Sequence, residues 1–139
     1  MTYATQVDLE TRFKQQELIE LTDEAGIGEI DAAAVAVALA DTDAEINGFL
    51  SGRYSLPLTQ TSPELVRLAC DIARYRLYDT KATEQVKARY DDAIRKLREV
   101  SNGKASLGID QASAPVKVAG GAEISSGGRD FSRTDRGRW

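Results

Sequence analysis

The helical signature of this 139-residue chain stops abruptly at Asn102-Gly103, and that boundary limits what it can fold into. Up to Asn102, apolar residues recur at three- and four-residue intervals between recognisable helix starts and stops. Beyond it, the pairs Gly120-Gly121 and Gly127-Gly128 break the pattern, and large apolar side chains are sparse. The core must therefore come from about 100 residues, enough to bury roughly two-thirds of their unfolded surface. The expected fold class is mainly α. A small bundle of about four helices fills residues 1–102, and an extended C-terminal arm with scope for one short strand fills 103–139.

The helix starts are chemically explicit. Thr5 can cap the amide of Asp8 in a capping box with Asp in place of Glu. Val7, Leu9 and Phe13 follow as a short apolar face, and a second piece over 16–21 adds Leu18, Ile19 and Leu21. Residues 22–28, with two glycines and two acids, read as a turn. Asp31 is an N-cap, with Ile30 and Val35 as its hydrophobic staple. The helix that follows carries Val35, Leu39, Ile46, Phe49 and Leu50 on one face and should end near Gly52. Residues 53–58 form a connection, because Pro57 disfavours helix at the residue before it.

Ser62-Pro63-Glu64 combines a cap, a proline at the first position and an acid in the first turn. Leu65, Leu68, Ala69, Ile72 and Leu77 line the buried face of that helix. Thr83 caps the last one, where Val86, Tyr90, Ala93, Leu97 and Val100 make a 4-3-4-3 seam for packing on another helix. Asp91 with Arg95, and Asp92 with Lys96, are spaced as exposed ion pairs. Asn102-Gly103 ends the helix.

Composition narrows the chemistry. The chain has no histidine and one cysteine, so the commonest base and metal ligand near neutral pH is missing and no internal disulfide can form. Its N-terminus has no basic segment leading into an apolar one, and the longest uncharged run, 54–63, is far short of the ~20 apolar residues of a membrane span. A cytoplasm-like setting and no membrane are the expectation. Residues 1–100 carry 12 Lys and Arg against 18 Asp and Glu, whereas 101–139 carry 6 against 4. The body is acidic and the arm mildly basic.

Several constellations invite chemical readings, and most are better read as structure. Asp41, Asp43, Glu45 and Asn47 suggest a calcium loop, but Gly48 falls eighth where an EF-hand needs its glycine sixth. They read instead as a solvated acidic helix face. Cys70 has no histidine to activate it and reads as a packed thiol. Tyr75 and Tyr78 read as core or interface residues rather than a site. No phosphate-cradling glycine loop and no metal-ligand spacing occurs, so no catalytic residue, metal site or cofactor is expected.

The arm holds the one functional-looking cluster: Arg129, Arg133, Arg136 and Arg138, with Phe131 and Trp139 among them. Arginine and aromatic residues are the usual hot-spot types at protein interfaces, which favours a docking peptide. A solubilising end or a nucleic-acid arm are the alternatives, and Asp130 and Asp135 weaken the latter by diluting the charge. Fixing a residue's backbone costs about 1–2 kcal/mol. Leu107, Ile109, Val116, Val118, Ile124, Phe131 and Trp139 cannot offset that over 37 residues. A partner's surface is needed to order the arm.

The run Asp43-Ala44-Glu45-Ile46-Asn47-Gly48-Phe49-Leu50-Ser51-Gly52-Arg53-Tyr54-Ser55-Leu56-Pro57-Leu58 resembles the neck-protein family of Mu-like tailed phages. These are the head–tail adaptor, or head completion, subunits that sit beneath the portal. Tyr3-Ala4-Thr5, Arg12-Phe13, residues 17–23, residues 63–75 and Phe131-Ser132-Arg133 extend the likeness over almost the whole chain. Lys14 departs from it, standing where the pattern has a glycine after Arg-Phe.

The resemblance implies a non-enzymatic structural subunit of the virion neck, present in the host cytoplasm during assembly. It implies a homo-oligomeric ring, with twelve copies expected, between the portal protein and a stopper or tail-completion protein. Duplex DNA would pass through without specific binding. The cluster from Arg129 to Trp139 would grip the portal, and Val116, Val118, Arg53 and Tyr54 would meet a neighbouring subunit. An acidic lumen suits that role, since like charge denies the DNA backbone any counterion-release gain. The alternative is a small nucleic-acid-binding regulator that uses the basic arm. A lysis-type phage enzyme would need an acid/base pair that the sequence does not offer.

Overall fold

A computed structural model describes residues 2–109, and all regular structure among them is helical. The elements run α1 (Gln6–Phe13), α2 (Gln15–Thr22), α3 (Ala32–Leu50), α4 (Pro63–Tyr78), a 3₁₀ turn (Asp79–Lys81) and α5 (Glu84–Ser101). The long helices α3, α4 and α5 pack pairwise on one another, and α1 and α2 lie across α4, with α1 also touching α3.

Each expected cap forms. The Thr5 hydroxyl accepts from the Asp8 amide at 3.3 Å while Asp8 accepts from the Thr5 amide at 2.9 Å, closing the box. Asp31 accepts from the Ala33 amide at 3.0 Å, Ser62 from Leu65 at 3.1 Å and Thr83 from Val86 at 3.2 Å. The acidic turn after α2 also has a local device, with Asp23 accepting from the amides of Ile27 at 3.0 Å and Gly28 at 2.6 Å. These bonds hold the Asp23 carboxyl below its usual range.

Lys14 separates α1 from α2 at φ 76° and ψ 148°, where a side chain is poorly tolerated. This is the position at which the pattern that the sequence resembles would carry a glycine. The break lets Leu9 and Phe13 of α1 and Leu18 of α2 all enter one core. Between α3 and α4 the chain tucks in Tyr54 and Leu58, and the Leu56–Pro57 peptide is cis.

Two findings depart from the sequence reading. Leu107 and Ile109, grouped above with an arm that could not order itself, are 1% and 6% exposed and belong to the main core. The chain turns after α5 through Gly103 and Gly108, both at positive φ, and so brings these side chains back onto the bundle. The exposed pairs on α5 also form differently. Asp91 pairs with Lys87 at 2.8 Å, Asp92 with Arg95 at 2.7 Å, and Lys96 reaches Glu64 on α4 at 3.2 Å.

Candidate interaction surfaces

Several polar side chains tie the helices of the bundle together. Arg74 on α4 donates to both carboxylate oxygens of Glu17 on α2, at 2.6 and 3.1 Å. The same guanidinium sits 4.3 Å from the Phe13 ring centre and 5.9 Å from that of Tyr78. A bidentate pair with an aromatic face beneath it is a strong, directional contact, and it pins α1 and α2 to α4.

Glu45 on α3 accepts from Arg76 at 2.6 Å and from the Tyr90 hydroxyl at 2.9 Å, joining α3, α4 and α5 at one carboxylate. Tyr90 in turn stacks on Tyr75, ring centres 4.1 Å apart. Burial, and then the bond to Glu45, push the Tyr90 phenol up to about 12. Near the N-terminus, the Tyr3 amide donates to Asp43 at 3.0 Å and its hydroxyl donates to Asn47. Burial raises the Asp43 carboxyl above its ordinary value. The run expected as a solvated acidic face is therefore mostly internal wiring, and only Asp41 of its three acids is exposed.

The residues singled out from sequence distribute unevenly. Tyr54, expected to meet a neighbouring subunit, is 4% exposed and belongs to the core of the single chain. Arg53 is half-buried with its guanidinium 6.0 Å from the Tyr54 ring centre, and its Nε is buried without an acceptor. A Cβ placed on Gly103 would stand 2.5 Å from Arg53 Nη1, so this arginine braces the turn after α5. Cys70 is fully buried and its thiol is raised to about 12 by that burial, which makes it a packing residue. Val116, Val118, Arg129, Phe131, Arg133, Arg136, Arg138 and Trp139 lie outside the described residues.

Among the described residues two surface depressions stand out, and the sequence reading found neither. The first, about 460 Å³, opens between α1, α4 and α5 and is lined by Arg12, Phe13, Arg67, Asp71, Arg89 and Asp92. Asp71 is only 7% exposed, and burial raises its carboxyl against the pull of Arg67, Arg89, Arg74 and Arg12. The second, about 870 Å³, runs between α2, α3, the end of α4 and the 3₁₀ turn. Glu20, Glu24, Asp41 and Asp79 edge it, and Ala34, Leu21, Leu77 and Val37, itself 62% exposed, supply apolar surface. The lining residues come from separate helices, and no spacing along the chain announces them.

Comparison with known proteins places the chain. The family model described as "Bacteriophage Mu, Gp36" matches residues 3–126. A Mu-like prophage FluMu protein gp36 from Haemophilus influenzae is 39% identical over 104 residues, covering 75% of this chain and 74% of that protein. Gene product J of Escherichia phage Mu is 38% identical over 115 residues, covering 82% of each chain.

Proposed function

The chain belongs to the bacteriophage Mu gp36 family, and from that premise we propose that it is a head–tail adaptor subunit of the virion neck. In this reading it is a structural protein without catalysis. Copies form a ring beneath the portal protein, receive a stopper or tail-completion protein on the other side, and line the passage for duplex DNA. The C-terminal cluster from Arg129 to Trp139 is the segment that docks on the portal.

One observation supports this reading most. Polar side chains of the described body join helix to helix, through Arg74–Glu17, Arg76–Glu45–Tyr90 and Tyr3–Asp43. A body cross-tied in this way is a stiff block suited to bearing load within an assembly. Its acidic balance, 12 Lys and Arg against 18 Asp and Glu over residues 1–100, lets duplex DNA slide past without a counterion-release gain.

The test is to delete residues 127–139 and measure portal binding together with helicity. The truncated chain should keep its helical signal and lose portal binding. Normal docking by the truncated chain would refute the assignment of the arm, and an image of a particle neck lacking this subunit would refute the location.

A further inference from the structure

We propose that the two surface depressions are the halves of one head-to-tail contact, in which carboxylates edging the groove of one copy enter the arginine cleft of the next. The inference deepens the ring reading above and rests on it.

The cleft holds a surplus of positive charge. Arg12 and Arg89 make no ion pair among the described residues, and the two pairs of Arg67 are long, 3.8 Å to Glu64 and 3.6 Å to Asp71. Of the carboxylates present, Asp92 is drawn off by Arg95 at 2.7 Å, which leaves three guanidiniums around the single buried Asp71. Three cations gathered around a buried anion will accept a further carboxylate or phosphate group.

The groove carries the opposite surplus. Glu20, Glu24, Asp41 and Asp79 are all exposed and form no ion pair among the described residues. Of the cations on the same groove, Arg76 is already bonded to Glu45 at 2.6 Å, and Lys81 alone remains. Beside these acids Val37 presents an apolar side chain 62% exposed, so an arriving partner finds both charge and something to desolvate.

Geometry selects a second copy as the occupant. Cleft and groove share no lining residue, and α4 contributes to both, through Arg67 and Asp71 to one and through its last turn to the other. Two different complementary faces on one chain are what a head-to-tail contact needs, and a ring is its closed form. A two-fold contact using either face would set like charges against each other.

The experiment uses the full-length chain assembled with its portal protein, read by mass and by electron microscopy. Arg89→Glu reverses the cleft, and Glu24→Lys with Asp41→Lys reverses the groove. All three positions are exposed, so the melting temperature should hold, and Arg12→Ala with Arg89→Ala supplies a milder cleft variant. Each variant alone should need at least tenfold more protein to reach half-assembly. Mixing the cleft-reversed and groove-reversed proteins should restore rings of alternating copies, because every junction again joins unlike charges.

Single variants that assemble as the wild type does, or a mixture that fails to recover, would overturn the contact while leaving the ring intact. A wild-type chain that forms no ring would overturn the ring reading, and the contact with it. Duplex DNA that binds the wild-type cleft at physiological salt and is lost with Arg89→Glu would make the cleft a phosphate site and refute the proposal.

Discussion

Replacing Lys14 by glycine should stabilise this protein, and the reason lies in the backbone rather than in any contact of the side chain. Lys14 is exposed, makes no side-chain cap, and sits at φ 76° and ψ 148° between α1 and α2. An L-residue held in that region costs on the order of 1–3 kcal/mol, which glycine does not incur. Glycine adds unfolded-state freedom of roughly 0.5–1 kcal/mol against the change. The net gain should be about 1 kcal/mol. For a cooperative body of about 100 residues that is roughly 4–8 °C in melting temperature.

The amide of residue 14 donates to the Glu10 carbonyl at 2.9 Å, and glycine keeps this bond. Thermal and urea denaturation of the full chain would measure the effect, with an unchanged urea slope showing that the same surface unfolds. Lys14→Ala is the decisive control, since it removes the lysine side chain but retains the Cβ. It should leave stability within about 0.5 kcal/mol of the parent. If the glycine variant melts no higher than the alanine variant, the strain argument is wrong.

Other expectations follow from the core and the buried charges. Compared with a chain ending after residue 109, one ending after 102 lacks Leu107 and Ile109 of the core. At about 1.5–3 kcal/mol for each buried side chain, the shorter form should lose roughly 3–6 kcal/mol, read by urea denaturation. Gly103→Ala should lose about 1–2 kcal/mol, because residue 103 is at φ +81° and its new Cβ crowds Arg53 Nη1. Arg53→Ala should recover only the crowding part of that loss, measured as a double-mutant cycle.

Asp71 makes a pH-dependent case. Its folded-state carboxyl is raised, chiefly by burial, so the native chain holds the proton more tightly than the unfolded chain does. The resulting stability is fully present below the ordinary value of 3.8 and is lost as pH rises through the raised one. Asp71→Asn should therefore melt higher than the parent at pH 7, and the difference should shrink as pH falls toward 3.8. A difference that grows on acidification would contradict the assignment.

The helices were legible because their signals are local. Thr5, Asp31, Ser62 and Thr83 each cap through a side chain that reaches only two or three residues ahead, so adjacent sequence contains the whole interaction. The buried faces of α4 and α5 were legible for a similar reason, since a 3.6-residue period aligns Leu65, Leu68 and Ile72 whatever lies opposite. The same reasoning misplaced Leu107 and Ile109. Periodicity marks helices, whereas membership of a core needs only a turn that brings two apolar side chains back, and Gly103 and Gly108 provide it without any period.

The surfaces were illegible because pairing decides them. Asp43 and Glu45 have the composition of a solvated face, yet their partners Tyr3, Arg76 and Tyr90 lie 31 to 45 positions away and become neighbours only in the folded bundle. Asp71 reads as a surface acid by type, but it lies between Cys70 and Ile72 on the stretch of α4 that the other helices enclose. Sequence reports how many charges of each sign exist; the fold decides which remain free. Once the internal ties have taken Arg74, Arg76, Glu17 and Glu45, Arg12 and Arg89 are left without an ion pair among the described residues on one depression, and Glu20, Glu24, Asp41 and Asp79 on the other. The contact between copies proposed above would be built from that remainder. Its signature is therefore a property of the folded surface, which no motif along the chain could carry.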